Sequence, residues 1–432
     1  MPLITLALLA AALGYAVFES GGVLRAEWNV SLLLIGASAL LYWLILRRSD
    51  ASAPLDPGLR LPIFLLPAYL LLQLAPLPLG ILRFVSPART ELTAAIARAA
   101  PAVNFAPLSV APFATFEQLF RYLAYIAVFL TIRELAWRFD RHAWLIMVPL
   151  VIMAVAEAAA GIAQAHQAGF ARGTYVNRNH FAGFLELSLP FAAAYSVMTL
   201  GRGRVRPLPL RQAFIACLAI ATAALLFMGV VDSLSRMGFL ASLAGLMTVA
   251  LFSVAGRKRP MLALITVAVI AAAIWLPPDA LIRRLTNLRA PGEISTATRL
   301  NIWADTCRLI KAYPAFGCGA GTYESAMHRY QTAAPLNTVD YAHNDYLQLL
   351  AELGIPGVVI LAAGLFALVK KSIRDARQPS DSEDRYLSIA GLGALAAILV
   401  HSAADFNLYI PANALAVAWI AGIAARANHS LR

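Results

Sequence analysis

The stretch Tyr341-Ala342-His343-Asn344-Asp345-Tyr346-Leu347-Gln348-Leu349-Leu350-Ala351-Glu352-Leu353-Gly354-Ile355-Pro356 passes within a few residues from polar side chains into sequence that hydrocarbon tolerates. Asn344 stands where a helix N-cap belongs. After it, Gln348 and Glu352 fall one turn apart on one side, and Tyr346, Leu349, Leu350 and Leu353 fall on the other. Gly354 and Pro356 interrupt the helix close to the point where it enters a bilayer. The stretch closes the one long polar insertion of the chain, residues 278–346, which lies between two apolar runs.

Outward from that insertion, the chain is dominated by apolar sequence. Of its 432 residues 60% are hydrophobic and 13% charged, and the mean hydropathy is +0.70. A soluble protein carries about 25% charged residues, so this is an integral membrane protein. A span needs about 20 apolar residues. Roughly twelve stretches approach that length: 2–18, 30–46, 61–79, 115–132, 143–165, 181–199, 212–231, 237–255, 260–277, 347–369, 386–402 and 409–425. The expected fold is all-α, a polytopic membrane helix bundle of about twelve transmembrane helices. Residues 1–432 form a single transmembrane unit, and 278–346 is a long loop within it containing short helices. Pro2 to Phe18 is apolar without a basic leader and reads as a first span, not a cleavable signal.

The formal charge of +12 does not point to nucleic acid, because the basic residues sit in short clusters between apolar runs. With a cytoplasmic N-terminus, twenty of the 35 basic residues fall in short inner segments. These carry Arg47, Arg48 and Arg60; Arg133, Arg138 and Arg141; Arg202, Arg204, Arg206 and Arg211; Arg257, Lys258 and Arg259; Lys370, Lys371, Arg374, Arg377 and Arg385; and Arg426 and Arg432. Dense Lys/Arg in short loops marks the cytoplasmic side, so the insertion is expected outside. Of the remaining fifteen basic residues only Lys311 is not arginine. The fixed charge and planar fork of arginine suit phosphate, so outward arginines near span ends suggest an anionic lipid headgroup as ligand.

Several residues carry two readings each. His343 is a general base, since neutral imidazole takes a proton near neutral pH, or a structural histidine at a loop–helix junction that Asn344 and Asp345 orient. Arg236, where the eighth span begins, binds a phosphate or snorkels to one. Arg299 shares a helical face with Trp303 and Thr306 in a helix ending before Pro314; it binds substrate or is a solvated charge. Asn177, Arg178, Asn179 and His180 open the sixth span as a dense polar set, lining a cavity or capping the helix. Arg121 lies about two turns into the fourth span and either meets a ligand or pairs with Glu117 at helical spacing. His401, Asp405 and Asn407 precede Pro411; Asp405 neutralises an arginine, fixes a histidine tautomer, or belongs to a plain interfacial turn.

No metal is expected, since Asp305, Glu324, His328, Asp340, His343 and Asp345 lack the spacing of a zinc or calcium motif. The run Gly317-Cys318-Gly319-Ala320-Gly321 follows no strand and is not a nucleotide fingerprint. Cys217 reads as a small core residue, and Cys307 and Cys318 pair only if their side is oxidising.

Ser235-Arg236-Met237-Gly238, the Arg299 to Trp303 helix leading to Pro314 and Gly317-Cys318-Gly319, and His343-Asn344-Asp345-Tyr346-Leu347 before a span resemble, in order and placement, the O-antigen ligase and polymerase superfamily. Asn177-Arg178-Asn179-His180-Phe181-Ala182 and Pro107-Leu108-Ser109-Val110 add to the resemblance, which covers about residues 107 to 415. It implies a cofactor-free, metal-independent, inverting glycosyltransferase of the bacterial inner membrane with its site facing the periplasm. Undecaprenyl-diphosphate-linked glycan is the implied donor, and lipid A-core or another glycan the implied acceptor. His343 is the implied base, with Arg236 and Arg299 on the diphosphate. Without an extra C-terminal domain of the kind some protein-glycosylating members carry, a protein acceptor is not expected. The late insertion favours a ligase over a polymerase. A transporter or flippase for a lipid-linked sugar needs the arginines but no base, and usually shows repeated halves, which this sequence does not.

Overall fold

The computed structural model describes residues 2–46, 52–97, 103–201, 209–253, 296–332, 338–378 and 382–426. The stretch 260–277, expected as the ninth span, and the first part of the insertion, 278–295, lie outside the described residues. The long helices are α1 (Pro2–Phe18), α2 (Arg25–Leu40), α3 (Pro57–Leu74), α6 (Pro112–Phe139), α7 (Val148–Ala168), α8 (Arg178–Gly201), α9 (Leu210–Asp232), α10 (Arg236–Ser253), α13 (Asp345–Ala376), α14 (Glu383–His401) and α15 (Pro411–Ala424). Short helices α4 (Leu79–Val85), α5 (Pro87–Ile96), α11 (Thr296–Ala312) and α12 (Tyr323–Met327) gather at one end. There a two-residue ladder pairs Leu77–Pro78 with Phe105–Ala106. Seven helices among the described residues are long and apolar enough to cross a membrane, with Pro2–Phe18 and Pro411–Ala424 as shorter apolar ones. The chain is a multi-pass, all-α membrane protein.

The centre of the bundle is α8, 83% buried over its most apolar window, as expected of a helix with neighbours all round. It packs on α9, α10, α14 and α15. In lipid, close approach of helix backbones requires small residues. At the α10–α14 crossing Gly245 and Gly393 face one another, and a Cβ on either would lie 3.0 or 2.9 Å from the other's carbonyl oxygen.

The bundle has two unlike ends. At one, basic side chains close the helix termini. Arg385 donates to the carbonyls of Ala376 and Phe252 at 3.1 and 2.8 Å, Arg426 pairs with Asp384 and Lys371 with Asp375 at 2.6 Å. Cations at helix C-termini satisfy orphan carbonyls and the helix dipole together.

At the other end α13 breaks. Gly354 takes φ 60°, ψ −168°, and Pro356 has no N–H to return to the Glu352 carbonyl, so backbone oxygens are released at membrane depth, where each must find a donor. The glycine run supplies them. Cys318 N–H donates to the Ala351 carbonyl at 2.9 Å and Gly319 N–H to that of Glu352 at 3.0 Å. From α3, Tyr69 Oη donates to the Leu353 carbonyl at 2.6 Å and Gln73 Nε2 to that of Glu352 at 3.0 Å. Gly317, at φ 72°, lies so close that a Cβ would meet the Glu352 carbonyl. The glycines are therefore a backbone dock for the broken helix.

Candidate active site

His343 sits at the mouth of α13 in the left-handed region, at φ 50°. A non-glycine residue there costs about 1–3 kcal/mol and persists only where its surroundings fix it. Before it, Ala342 is held on both sides: its carbonyl accepts from Trp303 Nε1 of α11 at 3.0 Å, and its N–H donates to Gln348 Oε1 at 2.8 Å. After it, Asn344 Oδ1 caps α13 by accepting from Leu347 N–H at 3.1 Å, while Asn344 Nδ2 donates to the Ala403 carbonyl at 2.9 Å. Asp345 N–H donates to the carbonyls of Ser402 and Asp405, and Ser402 Oγ donates to Asp345 Oδ2 at 2.7 Å. The imidazole is thus presented by a loop bolted to the α14–α15 turn, residues 402–410.

That turn carries Asp405, 1% exposed. Its Oδ1 lies 3.7 Å from His343 Nδ1 and 3.6 Å from His180 Nε2 on the first turn of α8, and it accepts from Phe406 N–H at 2.9 Å. Both imidazole contacts are longer than hydrogen bonds, a separation common before substrate closes a catalytic site. Burial alone would raise the Asp405 carboxyl. The two imidazoles and the Arg299 guanidinium outweigh it and hold the group well below the usual carboxylate range. The Phe406 ring meets both imidazoles edge-on, His180 at 4.6 Å and His343 at 4.8 Å between centroids, and Tyr341 stacks on it at 4.1 Å.

Arg299 joins the cluster from α11, donating through Nη1 to the Ala404 carbonyl at 2.8 Å, while its buried Nε has no hydrogen-bond partner. Arg236 is the half-buried first residue of α10. The start of α10 abuts the start of α8, where a Cβ on Gly238 would lie 2.6 Å from that of Ala182. Arg178 is buried with its guanidinium 5.0 Å from the Phe170 ring centroid. Asn177 caps α8, its Oδ1 accepting from Asn179 N–H at 2.9 Å, and Asn179 is half-buried beside it.

Arg121 stands apart. It does not pair with Glu117 as helical spacing allows, because Arg25 takes that carboxylate at 2.9 Å. The Arg121 guanidinium lies 5.6 Å from the Trp28 ring centroid, and the residue lines a cavity of about 170 Å³ on the Tyr341 side of the cluster. A second cavity of about 480 Å³ lies at the opposite end, between Trp144, Phe191 and Leu218. Its lining is mostly apolar, with His142, Thr222 and Glu383 among it, and none of the site residues reaches it.

Sequence reasoning missed three features. Glu352 is a buried organiser, accepting from Gly321 N–H at 2.9 Å, Tyr323 N–H at 3.2 Å and Tyr409 Oη at 3.0 Å. His401 is no surface turn residue but lies buried against Glu186, with its Nδ1 2.9 Å from Oε2. The Tyr341–Phe406 stack has no sequence signal, whereas carboxylates such as Glu186 inside apolar runs were a readable one. Among the described residues no three His, Cys, Asp or Glu side chains group to hold a metal ion. Cys307 is exposed and Cys318 buried, both as free thiols.

Residues 221–362 match the family described as O-Antigen ligase. The match covers about a third of the chain and supports membership of the O-antigen ligase superfamily. Members of this superfamily are glycosyltransferase-like enzymes that act on lipid-linked glycans and glycan acceptors. The matched segment holds Arg236, Arg299, His343 and Asn344; Arg121, residues 177–180 and Asp405 reach the same end of the bundle from outside it. No curated protein matches the chain.

Proposed function

We propose that this protein is an O-antigen ligase-like inverting glycosyltransferase. It transfers a glycan from undecaprenyl diphosphate to a hydroxyl of lipid A-core or a similar acceptor, at the periplasmic face of the bacterial inner membrane. The observation that carries this reading is the convergence of His343, Asp405 and Arg299 at one bundle end, with an imidazole held in a strained backbone position. With Nδ1 turned to Asp405, Nε2 is left to take the proton of the acceptor hydroxyl. As that oxygen bonds to the anomeric carbon from one face, the bond to the diphosphate breaks on the other, inverting the centre. Arg299 and Arg236 stabilise the charge that gathers on the leaving diphosphate, so no divalent cation is required. The orientation is supported, among the described residues, by Arg138, Lys371, Arg385 and Arg426 at the end opposite His343.

The test is transfer by purified protein from a lipid-linked glycan to lipid A-core in the presence of chelator. Transfer that survives chelation in the intact protein and is lost in His343→Ala supports the mechanism. Full activity of His343→Ala removes it.

A further inference from the structure

We propose that the cavity beside Tyr341 is a subsite for one neutral sugar ring of the acceptor glycan, which rests on the glycosyltransfer reading. At about 170 Å³ it is close to the cavity of about 150 Å³ that takes a single six-membered ring, the scale of one monosaccharide and not of a chain. Its floor holds Arg121, whose buried Nε has no hydrogen-bond partner. Trp28 lies against the guanidinium at 5.6 Å, and Arg25 has already claimed Glu117. A cation with an aromatic neighbour but no ion pair among the described residues, its Nε unmet and facing a polar cavity, is costly and points to a ligand.

The rest of the lining says which ligand. A pyranose offers hydroxyls that both donate and accept, so it needs donors and acceptors around one small space, with an aromatic face beside it. Arg121 and the buried amide of Gln348 supply donors, the exposed carboxylates of Glu324 and Asp340 supply acceptors at the rim, and Tyr341 supplies the ring. Two rim carboxylates repel a phosphate or a sugar acid, which separates this cavity from the arginines assigned to the diphosphate.

Its position assigns it to the acceptor. Tyr341 lies two residues before His343 and touches it through Phe406, whereas Arg299 reaches the base through Ala404. A ring held by the cavity therefore leaves the diphosphate's approach open and places the next sugar of the same glycan at His343.

The experiment measures binding of a deacylated, dephosphorylated lipopolysaccharide-core oligosaccharide to the detergent-purified full chain by calorimetry, beside steady-state transfer kinetics. Asp340→Ala, at an exposed position that folding tolerates, and Arg121→Gln are each expected to weaken binding and raise the acceptor KM at least tenfold. The donor KM and kcat should stay within about threefold, and inorganic pyrophosphate should not displace the oligosaccharide. His343→Ala should bind it as the intact chain does while losing kcat. Unchanged acceptor KM and binding in both cavity variants, no binding by the intact chain, or displacement by pyrophosphate would each overturn the subsite while leaving transfer standing. Binding that weakens in the variants of a protein that transfers nothing would keep the subsite and remove the glycosyltransfer reading.

Discussion

The two ends of this bundle hold similar side chains to different purposes. At the end away from His343, charge is matched by charge or by helix carbonyls: Lys371 with Asp375, Arg426 with Asp384, Arg138 with Glu134 and Arg385 across two helix termini, Arg133 being the exception. At the His343 end, buried polar atoms are left unmet on Arg121, His180, Arg299, His343 and Asp405. Burying an unpaired polar group costs roughly 1–3 kcal/mol. On the proposed function, a cluster of them is retained because substrate, and not the fold, completes the pairing. The first end leaves hydroxyls such as those of Ser372 and Ser388 unmet as well, so what sets the His343 end apart is that its unmet atoms belong to titratable and cationic groups, most of them gathered round one carboxylate.

The hardest blow to this contrast would come from His343. His343→Ala should lower kcat of glycan transfer about a thousandfold, as loss of a general base does, with thermal unfolding little changed; a residual rate within tenfold of the intact enzyme would make the strained histidine structural. Next in size is Gly317→Ala, which pushes a Cβ at positive φ into the Glu352 carbonyl. It should destabilise the protein by about 3 kcal/mol or more, read as loss of folded material on size-exclusion chromatography.

Asp405→Asn keeps the shape of the turn but removes the charge facing two imidazoles, so transfer should fall about a hundredfold. Because the Asp405 carboxyl lies well below its unfolded range, its contribution to stability is complete above about pH 4 and is lost as pH falls through the lower native value. The stability advantage of the intact chain over Asp405→Asn should therefore shrink on acidification. An advantage that grew as pH fell would reverse the sign of the coupling. The smallest effect belongs to the other end. Asp375→Leu alone should cost about 3–5 kcal/mol by stranding Lys371, yet the pair Lys371→Met with Asp375→Leu should fold nearly as well as the intact chain and transfer glycan within twofold of it. Activity lost in the pair would break the division between the ends.

Most of the contrast is written in the sequence, because length and polarity are one-dimensional. The spacing after Asn344 gave a capped helix with Gln348 and Glu352 on one side, and both are buried. Arg299, Trp303 and Thr306 share a helical face, and each finds a tertiary partner. What could not be read was who partners whom across long separations. Arg25 reaches Glu117 over 92 positions and Tyr69 reaches Leu353 over 284. Helical spacing favours local pairs such as Glu117 with Arg121, and it misleads wherever tertiary packing brings a better-placed cation. Sequence excluded a nucleotide fingerprint for the glycine run without assigning it a partner. Its role depends on a break in α13 that only the fold brings beside it.

The break at Gly354 has a further consequence. Because the ends of the broken helix are hydrogen-bonded to α3 and to the glycine run, the height of His343 is measured from protein and not from lipid. A thicker or thinner bilayer can tilt the outer helices without carrying His343 toward water or toward hydrocarbon. The chain holds its own ruler, so the depth of His343 is set by hydrogen bonds to backbone carbonyls within the protein.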